Sequence, residues 1–521
     1  MKRKSVMAML MATTLLAGTF AGCQSSDTES SADTAQTETQ ENETAEADTA
    51  ADAEDEGKAP KYVFLFIGDG MSYPQFQAAS DYLGALADDD DGIVDGNVNL
   101  SFMDFEVAGS ATTFDSTSFC PDSASTATSI STGHKTHSGV INMDETKTEA
   151  YETIAEKLKD QKDYKIGIIS SVNLNHATPA AFYAHQASRN DYYEIGLELI
   201  ESDFDYFAGG GLKKVNGADG DKESLYTLAE EAGYNVLMTQ EEAEALTAED
   251  GKSIIIGETL ADEDALSYDN DRAEEEWSLA DYVEKGIEVL DNENGFFMMT
   301  EGGKIDWACH ANDAGSTVAD TLALADAVQV AVDFAKEHAD ETLIIVTGDH
   351  ETGGLTIGYA GTDYDTFLTN LENQEISYAK YDSDYVAGYV ENQTGFEDAM
   401  KDVEELFGLV MPENEANAAD ETLVLTDYEV ERLKEAYELT LAGGLGDEPT
   451  QEEYVKYGSY EPFSVTVTHI LNNKSGINFS SYAHTGLPVA VFAEGVGAEE
   501  FSGSYDNTDI YNKMADLLGV E

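Results

Sequence analysis

The sequence predicts an α/β protein: a central, mostly parallel sheet with helices on both faces, plus an inserted cap region. Three observations carry this. First, Val63-Phe64-Leu65-Phe66-Ile67, Phe296-Phe297-Met298-Met299 and Leu343-Ile344-Ile345-Val346 are apolar without alternation, the pattern of strands covered on both faces. Second, amphipathic stretches alternate with them, above all Val318 to Lys336. Third, each run closes on an acid, at Asp69, Glu301 and Asp349, and His350 follows the last at once. In such sheets ligands bind beyond the carboxyl ends of the strands. The acids are therefore predicted to gather at one sheet edge. Crowded carboxylates repel one another unless a cation sits between them, so the pattern points to a polynuclear metal site.

The elements follow in order. Lys2, Arg3 and Lys4 form a basic start, Val6 to Phe20 a short apolar stretch, and Ala21-Gly22-Cys23 closes it. The stretch is too short to span a bilayer comfortably, and small residues precede the cysteine. Residues 1–23 thus resemble a bacterial lipoprotein signal with Cys23 as the lipidated N-terminus, although Phe20 stands where leucine is usual. An ordinary secretory signal is the alternative. Residues 24–58 carry 12 acids, one lysine and no aromatic residue. They can bury no core and are predicted to be a disordered acidic tether.

The folded body, 59–521, opens with a strand over Tyr62 to Ile67 and a Gly-Asp-Gly turn. A helix from Pro74 to Leu86 and an acidic loop at Asp88 to Asp91 come next. Pro121 and Asp122 mark a helix start. Tyr151 to Gln161 reads as a helix and Lys165 to Ser171 as a strand. From Asn190 to about Gly295 the chain reads as mixed and mostly helical, with a weak strand pair. The strand ending at Glu301, the helix from Val318 to Lys336 and the strand ending at Thr347 restore the alternation. Residues 355 to about 460 are rich in Tyr and Asp, with helices near 394–407 and 426–442, and read as the insertion. The sheet resumes around Pro488 to Phe492.

Composition narrows the function. Hydrophobic residues make up 42% of the 521, ample for a core. The formal net charge of −77 argues against nucleic-acid binding, which needs a basic face. Of the three cysteines, Cys23 is assigned to lipid. Cys120 and Cys309 remain, as a disulfide or as two small buried thiols.

Asp306 and His310 are four apart and share one face of a helix. Asp349-His350 is a second acid–imidazole pair, and His484 lies in Tyr482-Ala483-His484-Thr485-Gly486. Mixed imidazole and carboxylate ligands suit Zn²⁺, and an all-oxygen set suits Mg²⁺. A single such pair is more often hydrogen-bonded structure; together they point to metal. Ser123, at the start of the predicted helix, is the candidate nucleophile, because helix N-termini favour anions. A plain capping role is the alternative, and Ser125 and Thr126 are local competitors.

Six ordered motifs then resemble the alkaline phosphatase family: Gly68-Asp69-Gly70-Met71, Pro121-Asp122-Ser123-Ala124, His176-Ala177-Thr178-Pro179-Ala180, Glu301-Gly302-Gly303-Lys304-Ile305-Asp306, Thr347-Gly348-Asp349-His350-Glu351-Thr352-Gly353-Gly354 and Ala483-His484-Thr485-Gly486. The match runs from about residue 60 to the end and thins in the insertion. The resemblance implies hydrolysis of phosphate monoesters through a phosphoserine on Ser123. It implies two Zn²⁺ and one Mg²⁺. Asp306, His310 and His484 would hold one zinc, and Asp69, Asp349 and His350 the other. Asp69, Thr178 and Glu301 would hold magnesium. Arg189 would clamp the phosphate, its planar fork suiting two oxygens at once. Some family members form homodimers.

Two positions depart from the best-known bacterial pattern. His176 stands where that pattern has Asp, and Trp307 where it has Lys. A neutral ring at His176 implies weaker magnesium retention, and Trp307 implies easier product release. A sulfatase would need Cys or Ser followed by Pro and Arg, whereas Ser123 is followed by Ala124-Ser125. A phosphodiesterase relative would have Thr in place of Ser123. A solute- or cation-binding lipoprotein would leave the joint presence of Ser123 and a full metal set unexplained. The expected location is outside the cell membrane, tethered through Cys23.

Overall fold

The computed structural model describes residues 59–88, 94 and 96–521; the leader, Cys23 and the acidic tether lie outside them. In chain order the strands are β1 (Tyr62–Gly68), β2 (Val107–Thr112), β3 (Lys165–Asn173), β4 (Tyr206–Gly210), β5 (Asn235–Leu237), β6 (Ser253–Ile256), β7 (Phe296–Gly302) and β8 (Thr342–Gly348). Then come the short β9 (Glu351–Thr352), β10 (Thr356–Ile357), β11 (Ile477–Asn478) and β12 (His484–Thr485), followed by β13 (Val489–Gly495) and β14 (Gly503–Asp506). One sheet has the order β14-β2-β13-β8-β1-β7-β3-β4-β6-β5. From β8 through to β5 all neighbours are parallel. β13 runs antiparallel to both β8 and β2, and β14 parallel to β2.

β1 shows why its apolar run does not alternate. Tyr62, Phe64 and Phe66 point into one core, and Val63, Leu65 and Ile67 into another on the opposite face. The first core is closed by helices Tyr73–Ala87, Leu279–Leu290 and Ala314–Glu337. The second is closed by Ser123–Thr132, Ile154–Lys162, Tyr192–Glu201 and Thr508–Leu518. Residues buried on both faces need no polar side, so the sequence reads as continuous hydrophobicity.

Two expectations are corrected. The segment 190–295 contributes three strands, β4, β5 and β6, that extend the main sheet in parallel rather than a separate weak pair. They are three to five residues long, too short to show a period. Cys309 is buried but Cys120 is exposed, and both are free, so they are neither a disulfide nor two buried thiols. The long helix starts at Ala314, earlier than its apolar stripe, because Asp313 caps it by accepting from Ser316 N.

In segment 355–460, the helices Phe396–Phe407 and Asp427–Leu441 match the two expected there. Leu371, Tyr381, Val403, Phe407 and Leu433 join the first core, continuous with the residues under the sheet. Among the described residues, no helix is long and apolar enough to cross a membrane.

Candidate active site

The register of the central strands sets the site. Gly68 of β1 aligns with Gly302 of β7 and Gly348 of β8, so Asp69 and Asp349 leave their strands at one level, and Glu301, opposite Ile67, lies just inside the same edge. All three are fully buried. The Asp69 turn needs Gly70: its φ is +70°, and a Cβ there would sit 2.9 Å from Asp306 Oδ1. The Gly70 amide also donates to Asp349 Oδ1 at 3.2 Å.

Two further elements bring in imidazoles. Asp306 and His310 lie one turn apart on helix Lys304–His310, with His310 Nε2 3.4 Å from Asp306 Oδ2. β12 pairs with β9 so that His484 faces Thr352. This leaves His484 Nε2 3.1 Å from His310 Nε2 and 3.7 Å from Asp306 Oδ1. The outer nitrogens are fixed by backbone oxygens: His310 Nδ1 meets Tyr482 O at 2.7 Å, and His484 Nδ1 meets Pro121 O. That leaves both Nε2 atoms turned inward, as in imidazoles oriented for a metal. His350 Nε2 lies 3.2 Å from Asp69 Oδ1 and 3.5 Å from Asp349 Oδ2.

Asp69, Glu301 and His176 form another cluster, their nearest ligand-type atoms within 4.8 Å of one another. Here four buried atoms lack a hydrogen-bond partner: Asp69 Oδ2, Glu301 Oε1, Thr178 Oγ1 and His176 Nδ1. A buried polar atom left unpaired costs about 1–3 kcal/mol. Several in one place fit a bound cation, and three oxygens among them suit a hard one.

Electrostatics agree. Burial, then the carboxylates of Asp349, Asp306 and Glu301, push Asp69 well above the usual carboxylate range. Burial carries Glu301 up to about 7 despite a hydrogen bond from Ser170, and it also raises Asp349. Asp306 goes the other way. Burial opposes its charge, but His310, His484 and His350 hold its carboxyl low. Burial, reinforced by Arg189, lowers His176 to about 3, so the ring is neutral and free to ligate.

Ser123 opens helix Ser123–Thr132, which Asp122 caps by accepting from Ser125 N. Its Oγ lies 3.1 Å from His350 Nε2 and 3.4 Å from Asp69 Oδ1. The competing hydroxyls are engaged elsewhere. Ser125 donates to Asp115 Oδ2 at 2.8 Å, and Thr126 to Asp349 Oδ2 at 3.0 Å. Arg189 is held by Asp122, Nη1 to Oδ2 at 2.8 Å, and its Nη2 lies 3.4 Å from His176 Nε2. Ser123, Arg189, His176, Asp306, His310 and His484 line one cavity of about 320 Å³.

The proposed nucleophile, phosphate clamp and metal ligands therefore gather at this edge. Sequence reasoning missed the residues that hold them: Asp122 under Arg189, Thr126 on Asp349, Thr352 on Asp306 and Ser170 on Glu301. Asp122 and Thr352 lie inside the motifs, but their partners are distant in sequence and only the fold pairs them.

Mutually repelling carboxylates, inward-turned imidazoles and a serine beside an arginine are what a metal-dependent hydrolase of anionic esters requires. Fold and site place the chain in that class. The alkaline phosphatase family model matches residues 60–422, and the chain belongs to that family. It is a metal-dependent phosphomonoesterase. Alkaline phosphatase 4 of Bacillus subtilis is 27% identical over 99% of this chain and 97% of its own length. Alkaline phosphatase 3 of the same organism is 28% identical over 88% of this chain and 89% of its own. Among solved structures, the cold-active alkaline phosphatase of a psychrophilic Shewanella superposes with a TM-score of 0.70 at 26% identity, covering 88% of this chain and 99% of that one. A variant of the alkaline phosphatase from the Antarctic bacterium TAB5, with one histidine replaced by glutamate, holds Mg in a site called M3; it superposes with a TM-score of 0.59 at 25% identity, covering 89% of this chain and all of that one.

Proposed function

We propose that Ser123 is the nucleophile and that monoester hydrolysis proceeds through phosphoserine. The observation that carries this is the placement of Ser123 Oγ against His350 and Asp69, at the end of the cavity that Arg189 also lines. Asp306, His310 and His484 would hold one Zn²⁺, and Asp69, Asp349 and His350 a second. Asp69, Thr178 and Glu301 would hold Mg²⁺, with His176 beside it. When bound, these cations neutralise the developing negative charge and lower the pKa of a coordinated hydroxyl.

The chain's own residues do the rest. Helix Ser123–Thr132 points its positive end at the phosphate. Arg189 presents a planar fork to two phosphate oxygens, and Asp122 keeps that fork from swinging away. As the Ser123 Oγ–P bond forms, the P–O bond to the ester oxygen breaks, the serine proton passes to solvent and the leaving oxygen takes one up to depart as alcohol; water then cleaves the phosphoserine, returning Ser123 and releasing inorganic phosphate. Positioning and charge dominate, as expected for a loose phosphoryl-transfer transition state.

Acid-quenched enzyme exposed to phosphate should carry a phosphoryl group on Ser123 by mass spectrometry. Ser123→Ala should lose at least about 10³-fold in kcat/KM. Retained monoesterase activity in that variant would overturn the mechanism. Metal analysis of the purified enzyme should return zinc and magnesium near two to one. Export and attachment through a lipidated Cys23 complete the reading, with a homodimer as one assembly to test. Cys23→Ser should move the enzyme from the membrane to the soluble fraction, and sedimentation reads the dimer.

A further inference from the structure

The cavity in front of Ser123 has two unlike sides. Ser123, Arg189 and three imidazoles supply its polar wall, and Trp307, Tyr378 and Tyr460 supply an aromatic one that adjoins it, the Trp307 ring 6.0 Å from that of His176. Tyr378 belongs to segment 355–460, and Tyr460 ends it. The two rings meet edge to face at 5.6 Å and 85°. Each aromatic is braced from behind. The Tyr268 ring packs 5.9 Å from Tyr378, and its hydroxyl donates to Tyr378 Oη at 3.4 Å. Tyr460 stacks on Tyr482 at 6.1 Å. Lys304 Nζ sits 4.7 Å from the Trp307 ring. Such rings lose little freedom when a ligand packs on them.

The remaining rim is electrically balanced. Asp262 pairs with Lys304 at 2.5 Å, and Glu263 with Lys213 at 2.7 Å. Among the described residues lining the cavity, Arg189 is the one lysine or arginine, and it belongs to the polar wall with Ser123. Nothing on the rim is available to hold a second anion. What it offers is ring faces and edges.

We propose that Trp307, Tyr378 and Tyr460 form the leaving-group subsite, and that it selects a flat, uncharged, base-bearing leaving group: a nucleoside 5′-monophosphate is the preferred class of substrate. This rests on the phosphomonoesterase reading of Ser123 and Arg189. With phosphate at the polar wall, the ester's other half has the aromatic side to lie against. A nucleobase has a π-face that stacks on or packs edge-on to such rings, whereas a bare sugar does not.

Adenosine 5′-monophosphate and ribose 5-phosphate release the same primary alkoxide, so their ratio of kcat/KM reads the base alone. The expected ratio in the wild-type holoenzyme is on the order of tenfold in favour of the nucleotide. It should fall to within about twofold of unity in Tyr378→Leu and Tyr460→Leu, the nucleotide losing more kcat/KM than ribose 5-phosphate. Tyr378→Phe and Tyr460→Phe should keep the ratio, because the ring and not the hydroxyl does the packing. If the leucine variants fail to fold, wild-type inhibition decides: adenosine should compete with substrate and ribose should not. Equal kcat/KM for the two substrates in the wild type would overturn the inference while leaving the phosphomonoesterase reading intact. Failure to hydrolyse either would overturn both.

Discussion

Asp306, His310 and His484 turn their free acceptors toward one focus beside the cavity, whereas Asp69, Glu301, Thr178 and His176 bury atoms that have no partner. In the first group the imidazole nitrogens lie within 3.1–3.7 Å of each other and of the Asp306 carboxylate, and Thr352 donates to that carboxylate at 2.5 Å. In the second, four buried atoms have no partner, and Asp69 and Glu301 are driven toward their neutral forms. The first group is rich in nitrogen and opens on the cavity; the second is rich in oxygen, and of its members His176 reaches the cavity wall. The difference separates two duties. Imidazoles and a carboxylate that open on the cavity are placed to exchange ligands with substrate. A group that cannot pair internally depends on a resident cation for its own stability.

That division is tested most sharply by removing one ligand from each side. His484→Ala should cost on the order of 10³-fold in kcat/KM, because it takes away a charge-stabilising position at the reacting end. Thr178→Val should cost only about tenfold, and added Mg²⁺ should recover most of it. Equal losses, or a Thr178→Val defect that magnesium does not touch, would erase the distinction. The readout is steady-state kinetics over a magnesium series.

Chelation asks the same question of stability. Stripping all cations leaves the oxygen-rich group with its orphans and repelling carboxylates. The unfolding midpoint should fall by at least about 5 °C, and Mg²⁺ alone should restore part of it without restoring activity. A midpoint indifferent to chelator would mean that the buried oxygens are satisfied some other way. Within that group, His176→Asp replaces a neutral ring by a carboxylate beside the proposed magnesium. Tighter Mg²⁺ binding, by about tenfold in a calorimetric titration, is expected. Unchanged affinity would assign His176 to holding Arg189 instead.

How much of this was legible in the sequence differs along the chain for physical reasons. The strands that carry Asp69, Glu301 and Asp349 are fully buried, so burial itself wrote their signal. β2 reads Val107-Ala108-Gly109-Ser110-Ala111-Thr112 and is half exposed near the sheet edge, which erases both hydrophobicity and period. β5 and β6 are three and four residues long, and neighbouring strands alone identify them. The antiparallel direction of β13 is invisible locally, because an apolar run reads the same either way. In the site, residue types and motif order placed the ligand candidates. The separation of the site into a nitrogen-rich and an oxygen-rich group depends on which distant strands and loops the fold brings together, and no spacing rule contains that.

Asp382 supplies the smallest test and the cleanest control. It too is an acid with a buried, unpartnered oxygen, Oδ1, but the residue is only half-buried and lies in segment 355–460. Among the described residues it belongs to no cluster of three metal-type groups. Burial, with Glu461 nearby, pushes its carboxyl up from 3.8 to about 7, against a hydrogen bond from Ser464. The sign follows. Below the unfolded value the carboxyl is neutral in both states and costs nothing. As pH rises the unfolded chain ionises first, so stability is lost progressively and the loss is complete once pH passes about 7. Asp382→Asn should therefore be neutral near pH 4 and stabilising by about 1–3 kcal/mol near pH 8, read from urea midpoints. Because no cation is implied at Asp382, the gain should persist in chelator. A gain that vanished in chelator would mean that buried, underpartnered carboxylates in this protein draw on metal wherever they occur, and the special status of the Asp69–Glu301 group would be lost.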